Sequence, residues 1–83
     1  MSGWHYQIMR HTADSGEDYL AVHEFYTMHD GGTGWTQKAV PIEADSLDEM
    51  RQALTTILRD LERYGVRDAQ TGEVVQTGNV GQM

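Results

Sequence analysis

The sequence contains no cysteine, one proline and no long hydrophobic run. Without cysteine the chain has no disulfide, no thiolate nucleophile and no sulfur-ligated metal, which fits a reducing cytosol. No stretch approaches the roughly 20 apolar residues of a membrane helix. The opening residues, MSGWHYQ, also lack the basic and apolar regions of a signal peptide. We therefore expect a cytoplasmic protein with no membrane partner.

Basic residues are scarce as well. Six lysines and arginines stand against 13 acidic residues, which gives a formal net charge of −7 at pH 7. A field of this sign repels phosphate backbones, so direct nucleic-acid binding is disfavoured. The acidic residues concentrate at 14–18 and 43–49, and either a basic partner or solubility alone would account for them.

Eighty-three residues form one small domain. A chain of this size buries only about 60% of the surface that it exposes when unfolded. That leaves one thin core and little room for an enclosed active site. Small domains without disulfides or metals often gain stability by self-association, so a homodimer is one expected state.

Two alternating segments predict a β-hairpin. Residues 4–11, WHYQIMRH, alternate apolar and polar side chains, and residues 19–26, YLAVHEFY, form the second strand. The polar segment TADSGED between them contains a glycine and supplies an open loop. The two strands are therefore expected to pair in antiparallel fashion.

A third strand is predicted after a glycine-rich loop. The loop HDGGTG, residues 29–34, supplies the positive φ values that a chain reversal needs. Residues 35–40, WTQKAV, are rich in aromatic and β-branched side chains, and Pro41 ends the strand because proline cannot donate to the ladder.

The helix has the strongest local signals. Ser46 and Glu49 form a capping box, and Gly65 stands where a helix ends on a left-handed residue. Between them the apolar side chains follow helical spacing: Leu47, Met50, Leu54, Ile57, Leu58, Leu61 and Tyr64. After the helix, Val66 is expected to fold back against its last turn.

The predicted fold class is α+β: a three-stranded antiparallel β-meander packed on one α-helix in the order β-β-β-α. Residues 73–75 are a possible fourth, short edge strand. We expect a single domain over residues 1–75 and a disordered C-terminal tail over residues 76–83. One helix covers one face of a sheet, so the other face is predicted to be bare.

A hairpin that turns near Ser15 fixes which residues share a face. On the face that meets the helix, it pairs Ile8 with Val22, Tyr6 with Glu24 and Trp4 with Tyr26. The bare face would then carry a mixed aromatic and apolar patch, which is the predicted binding surface: His5, Met9, Tyr19, His23 and Phe25. A slip of one residue would reverse every assignment.

Four histidines invite a metal site, because neutral imidazole binds zinc, nickel and copper. The segment HEFYTMH, however, has Thr27 where an HExxH motif needs its second histidine, and it lies on a predicted strand. Glu24 has no second carboxylate and no activated serine to work with, and its side chain is expected to bond Tyr6 or to reach the sheet edge. We therefore expect no catalytic residue, no metal and no cofactor.

The segments WHYQI, YLAVHEFY and GWT, followed by the capped helix start SLDEM, resemble a type of short bacterial or phage-borne α+β protein of no known function. The resemblance spans most of residues 4–64. It rests on strand patterns and implies no functional residue.

The leading interpretation is a small acidic protein-interaction module without catalysis, which binds a partner protein or a second copy of itself through the open sheet face. The alternative is a small metal- or ligand-binding enzyme subunit that uses His5, His23 and Glu24.

Overall fold

A computed structural model describes residues 3–78. Its elements in chain order are β1 (Gly3–Thr12), β2 (Asp18–Thr27), β3 (Thr33–Trp35), α1 (Leu47–Tyr64), β4 (Val66–Asp68) and β5 (Val74–Gln76). The strands form one sheet in the order β3-β2-β1-β4-β5. The sheet is mixed, because β4 runs parallel to β1 while the other neighbours are antiparallel. The α+β class is therefore confirmed.

The long hairpin of β1 and β2 has the predicted register. Tyr6 lies opposite Glu24 and His5 lies opposite Phe25, and the pairing runs without a shift along both strands. Gly16 closes the turn with a φ of 91°, a conformation that side chains with a Cβ rarely adopt. The alternating pattern and this loop together fix the register, since a slip would turn every side chain to the other face.

The third strand is shorter and earlier than predicted. It covers Thr33–Trp35 instead of residues 35–40. Beyond it the chain stays beside β2 through two isolated bonds, from the Thr36 N–H to the Glu24 carbonyl and from the Val40 N–H to the Val22 carbonyl. Two separated bonds do not make a ladder, so the segment leading to Pro41 is irregular.

The three-stranded meander is wrong chiefly because it omits β4. Val66 does not fold back on the helix; it opens β4 and pairs with Ile8 of β1, and both side chains are buried. A three-residue strand is too short to show a period, and its partner is far away in sequence. The fourth edge strand was predicted at residues 73–75 and is observed as β5, which pairs with β4.

The helix is confirmed at both ends. The Ser46 hydroxyl accepts a hydrogen bond from the Glu49 N–H at 3.1 Å, and the Gly65 N–H donates to the Leu61 carbonyl. Gly65 has a φ of 71°, and a Cβ there would collide with the Gln76 carbonyl oxygen. Within residues 3–78, no helix is long and apolar enough to cross a membrane.

The helix packs against β1, the central strand. The Asp60 carboxylate accepts the backbone N–H of Tyr6 at 3.0 Å, which occupies a donor on the part of β1 that β4 does not reach. The Tyr64 ring stacks on the His5 ring with 3.5 Å between the ring centres. Of the helix residues only Ile57 is buried, and the whole core is small: Ile8, Met9, Phe25, Ile57 and Val66.

The predicted tail begins at residue 76, and its first three residues lie within the described part of the chain. Gln76 belongs to β5, and Gly78 is buried beside the helix end, where a Cβ would collide with the Leu61 carbonyl oxygen. Residues 79–83 of the predicted tail lie outside the described residues.

Candidate interaction surface

The five predicted binding residues do share one face of the sheet, as the register requires. That face is not bare. Met9 is 0% exposed, His23 1% and Phe25 2%, so the prediction of an uncovered face is wrong. His5 is half-buried and Tyr19 is exposed. Partner binding by these residues stays a prediction, and Tyr19 is the one member with a well exposed side chain.

This face is covered by Trp35 of β3 and by two parts of the chain that the sequence interpretation left out, namely β4 and the turn after it. Trp35 stacks on Phe25 with 5.9 Å between the ring centres, and the Arg67 guanidinium of β4 lies 4.3 Å from the centre of the same Phe25 ring. The turn between β4 and β5 reaches Trp35, because a Cβ on Gly72 would lie 2.8 Å from the indole ring. Trp35 and the residues that follow the helix therefore together close the face that was expected to be open.

His23 lies in this covered face with both ring nitrogens engaged. Its Nδ1 is 2.8 Å from the Thr36 carbonyl oxygen, and its Nε2 is 2.8 Å from Nε2 of His11. A neutral His23 satisfies both contacts, donating from Nδ1 to Thr36 and accepting the Nε2 proton of His11. Burial lowers the pKa of His23, against the opposing effect of the Thr36 carbonyl, and the neighbouring His11 lowers it further. These contacts make His23 a structural histidine.

Gln7, which the sequence interpretation did not single out, holds three elements together. Its buried amide nitrogen donates to the Gly65 carbonyl at 2.8 Å. Its amide oxygen accepts from Arg67 Nε at 3.3 Å and lies 3.0 Å from His5 Nε2. In the sequence, Gln7 alternates with His5 and Met9 and therefore shares their face of the sheet. This shared face is the signal that could have identified Gln7 as a structural residue once the face is known to be buried. Through its contact with the Gln7 amide oxygen, His5 belongs to the same hydrogen-bond network.

The structure does not assemble the alternative site of His5, His23 and Glu24. The two histidines bond different partners, and Glu24 points to the opposite face because neighbouring strand residues alternate. The Glu24 carboxylate accepts a hydrogen bond from the Tyr26 hydroxyl, not from Tyr6, and this bond raises the pKa of Tyr26. In the described part of the chain, no three His, Asp or Glu side chains are placed to hold a metal ion.

A polar depression of about 260 Å³ lies beside His11. At its rim Arg10 and Asp68 form a salt bridge of 2.9 Å across β1 and β4. The hydrogen bond from Arg10, followed by those from the Gln70 and Thr71 amides, holds the pKa of Asp68 below its usual range. The two charges at this rim therefore satisfy each other.

The apolar side chains of this domain are distributed unusually. Five hydrophobic residues are buried within residues 3–78. Nine large hydrophobic residues are exposed: Trp4, Tyr19, Leu20, Met28, Leu47, Leu54, Leu58, Val74 and Val75. Scattered exposed apolar residues are normal, but two groups here are contiguous.

The first group forms an open depression of about 730 Å³, which we name the Trp4 pocket. Its lining comes from the start of β1, the end of β2 and the following turn: Gly3, Trp4, Tyr26, Thr27, Met28, His29 and Asp30. Trp4 lies opposite Tyr26 in the ladder and packs edge-on against Tyr6, with 5.2 Å between the ring centres. The turn fixes Met28, whose N–H donates to the Gly32 carbonyl at 2.7 Å.

The second group is a row of leucines on α1, which we name the leucine flank: Leu47, Leu54 and Leu58. They are 72%, 52% and 56% exposed, respectively. At 3.6 residues per turn they lie about 60° to 100° round the helix from Ile57, all on the same side. The sequence interpretation placed them on the apolar stripe of the helix, and the width of that stripe is the signal that the core would not cover all of it.

Charge is also distributed unevenly between the helix and the rest of the chain. The helix carries four acidic and three basic side chains, whereas the other residues include nine acidic and three basic ones. The acidic field of the protein is therefore weakest at the helix.

Comparison with known proteins gives no match. No protein-family model matches this chain, and neither a curated protein nor a solved structure does. Function is therefore inferred from the residues and surfaces of this chain itself.

Proposed function

We propose that this chain is a small, non-catalytic protein-interaction module whose binding surface is the Trp4 pocket. The observation that carries the proposal is an open, apolar depression of about 730 Å³ on a domain that exposes more large hydrophobic side chains than it buries. Tryptophan, tyrosine and methionine are enriched in protein interfaces. Trp4, Tyr26 and Met28 supply one of each in the lining.

The partner that fits is a protein segment with an aliphatic or aromatic side chain flanked by basic residues. The apolar lining would receive the hydrophobic side chain as an anchor. Asp30 lies in the same lining, and the net charge of −7 attracts cationic segments over a distance of about 8 to 10 Å at physiological salt. Because the chain has no cysteine to be protected from reduction or oxidation, we place this module in the cytoplasm.

A library of random displayed peptides, selected against the purified full chain, tests this proposal. We expect the enriched peptides to combine an aromatic or aliphatic residue with lysine or arginine, and to bind more weakly as salt increases. Replacing an aromatic anchor costs about 2 kcal/mol or more, so Trp4→Ser should weaken binding by roughly 30-fold.

Tyr19→Ser is the matched control, because Tyr19 is a similarly exposed aromatic residue outside the Trp4 pocket. It should leave peptide binding unchanged, and circular dichroism should show that both variants fold. Loss of binding in Tyr19→Ser with retention in Trp4→Ser would return the binding surface to the originally predicted face. The absence of any enriched peptide would contradict the proposed function.

A further inference from the structure

We propose that the leucine flank is a homodimer interface, in which α1 packs antiparallel against the same helix of a second copy. This inference goes beyond the proposed function, and it is independent of it because the flank and the Trp4 pocket share no residue. It rests on three features of the flank: its spacing, its charge and its size.

The spacing of the leucines is self-complementary. Leu47 and Leu58 are separated by about 16 Å along the helix axis, with Leu54 between them. In an antiparallel pair related by a twofold axis, Leu47 of each copy lies beside Leu58 of the other, and the two Leu54 side chains meet near the axis. All three exposed leucines are then covered at once.

Charge favours the helix as the face through which two copies meet, and the helix dipoles favour an antiparallel direction. Two chains of charge −7 repel each other, and the helix, with three of the six basic residues, is where this repulsion is weakest. A parallel pair would place Arg51, which borders the flank, next to its own copy. An antiparallel pair in this register offsets the two arginines by about 4.5 Å along the axis and also aligns the helix dipoles favourably.

The size of the flank sets the strength of the dimer. The flank surrounds a shallow depression of about 310 Å³ on one side of an 18-residue helix. An interface of one helix face per copy is at the small end of specific interfaces, below the standard of roughly 800 Å² per partner. We therefore expect a dissociation constant in the micromolar range, with dimers that exchange readily.

Sedimentation equilibrium over about 1 μM to 1 mM protein tests the interface. Leu58→Asp removes two leucine contacts per dimer, each worth about tenfold, and should raise the dissociation constant about 100-fold. Leu20→Asp is the matched control, since Leu20 is an equally exposed leucine on β2, and it should dimerise like the wild type. Leu58→Lys should raise the dissociation constant as much as Leu58→Asp does. Equal effects of the two variants would exclude the sign of the introduced charge as the cause.

Because the chain has no native cysteine, a single introduced thiol reports the orientation. Leu54→Cys should form a disulfide-linked dimer on oxidation. Leu47→Cys should not, because its two copies lie about 16 Å apart along the antiparallel helices and a disulfide joins Cα atoms within roughly 7 Å. A protein that stays monomeric at 1 mM, an unchanged dissociation constant in Leu58→Asp, or efficient cross-linking of Leu47→Cys would overturn the proposal. A monomeric wild type that still binds peptides would leave the proposed function intact.

Discussion

His23 should make the stability of this fold fall as the solution is acidified. The imidazole is buried and neutral, and burial lowers its pKa below the ordinary value of 6.5. The unfolded chain therefore takes up a proton at His23 before the folded chain does. Stability is unaffected well above pH 6.5, decreases as the pH falls below it, and stops decreasing once the pH is below the folded-state pKa. Within this window, one proton changes the free energy of unfolding by at most about 1.4 kcal/mol per pH unit.

Urea denaturation followed by circular dichroism between about pH 8 and pH 5 measures this slope. His23→Gln keeps a hydrogen-bonding side chain but cannot take up the proton, so it should have a flatter profile than the wild type, even though it is less stable overall. His29→Gln is the control, because His29 is exposed in the turn after β2. Its profile should parallel that of the wild type.

His11 is the titratable group that faces His23, at 2.8 Å between the Nε2 atoms. A charge on His11 opposes a charge on His23, so His11→Gln should raise the folded-state pKa of His23 toward its ordinary value. The acid decrease should then stop at a higher pH and be smaller in total, without disappearing. If His23→Gln retained the full wild-type slope, the burial of a neutral His23 would not be the source of the pH dependence, and the reasoning from its contacts would fail.

Two further substitutions test how the sheet is closed and how the helix is attached. Gly72→Ala should destabilise the fold by about 1 to 3 kcal/mol more than Gly16→Ala in thermal or urea unfolding. Both glycines have positive φ, but only at Gly72 would a Cβ meet a neighbour, the Trp35 ring, so equal losses would contradict the close contact. Asp60→Ala should cost about 1 to 3 kcal/mol because it leaves a backbone N–H of β1 without its acceptor, whereas Glu62→Ala, an exposed change on the same helix, should cost within about 0.5 kcal/mol. A similar cost for both would show that the carboxylate contributes nothing to the attachment of the helix.

The elements that could be predicted from the sequence are those whose causes are local. The β1–β2 register follows from a period of two and a short loop, and the helix boundaries follow from Ser46 and Gly65, whose contacts lie within four residues along the chain. β4 has no local cause of this kind. Val66–Asp68 becomes a strand because β1 offers an unpaired edge more than 50 residues away in sequence.

The missed strand contributes to the burial of the face that the sequence predicts to be the binding surface. β4 brings Arg67 onto Phe25, and the turn that follows brings Gly72 onto Trp35. Residues that the alternation had correctly placed on a common face were thereby buried. Periodicity identifies which side chains share a face, but it does not say what covers that face. The same limit applies to the helix, where the apolar stripe was correctly identified and its uncovered leucines were not.

Some polar side chains of this protein lie in the interior and some large apolar side chains lie on the surface, which is the reverse of the arrangement that stability alone would favour. Gln7 and His23 occupy buried positions, where each needs several hydrogen bonds to offset its desolvation, while four leucines and a tryptophan face solvent. A second copy that covers the leucine flank would add apolar burial to a core to which residues 3–78 contribute only five buried hydrophobic side chains. The midpoint of thermal unfolding should then rise with protein concentration in the wild type, and in Leu58→Asp it should begin to rise only at roughly 100-fold higher concentration. Since the Trp4 pocket shares no residue with the flank, such a dimer would present two pockets, and a partner with two binding segments would gain affinity from engaging both.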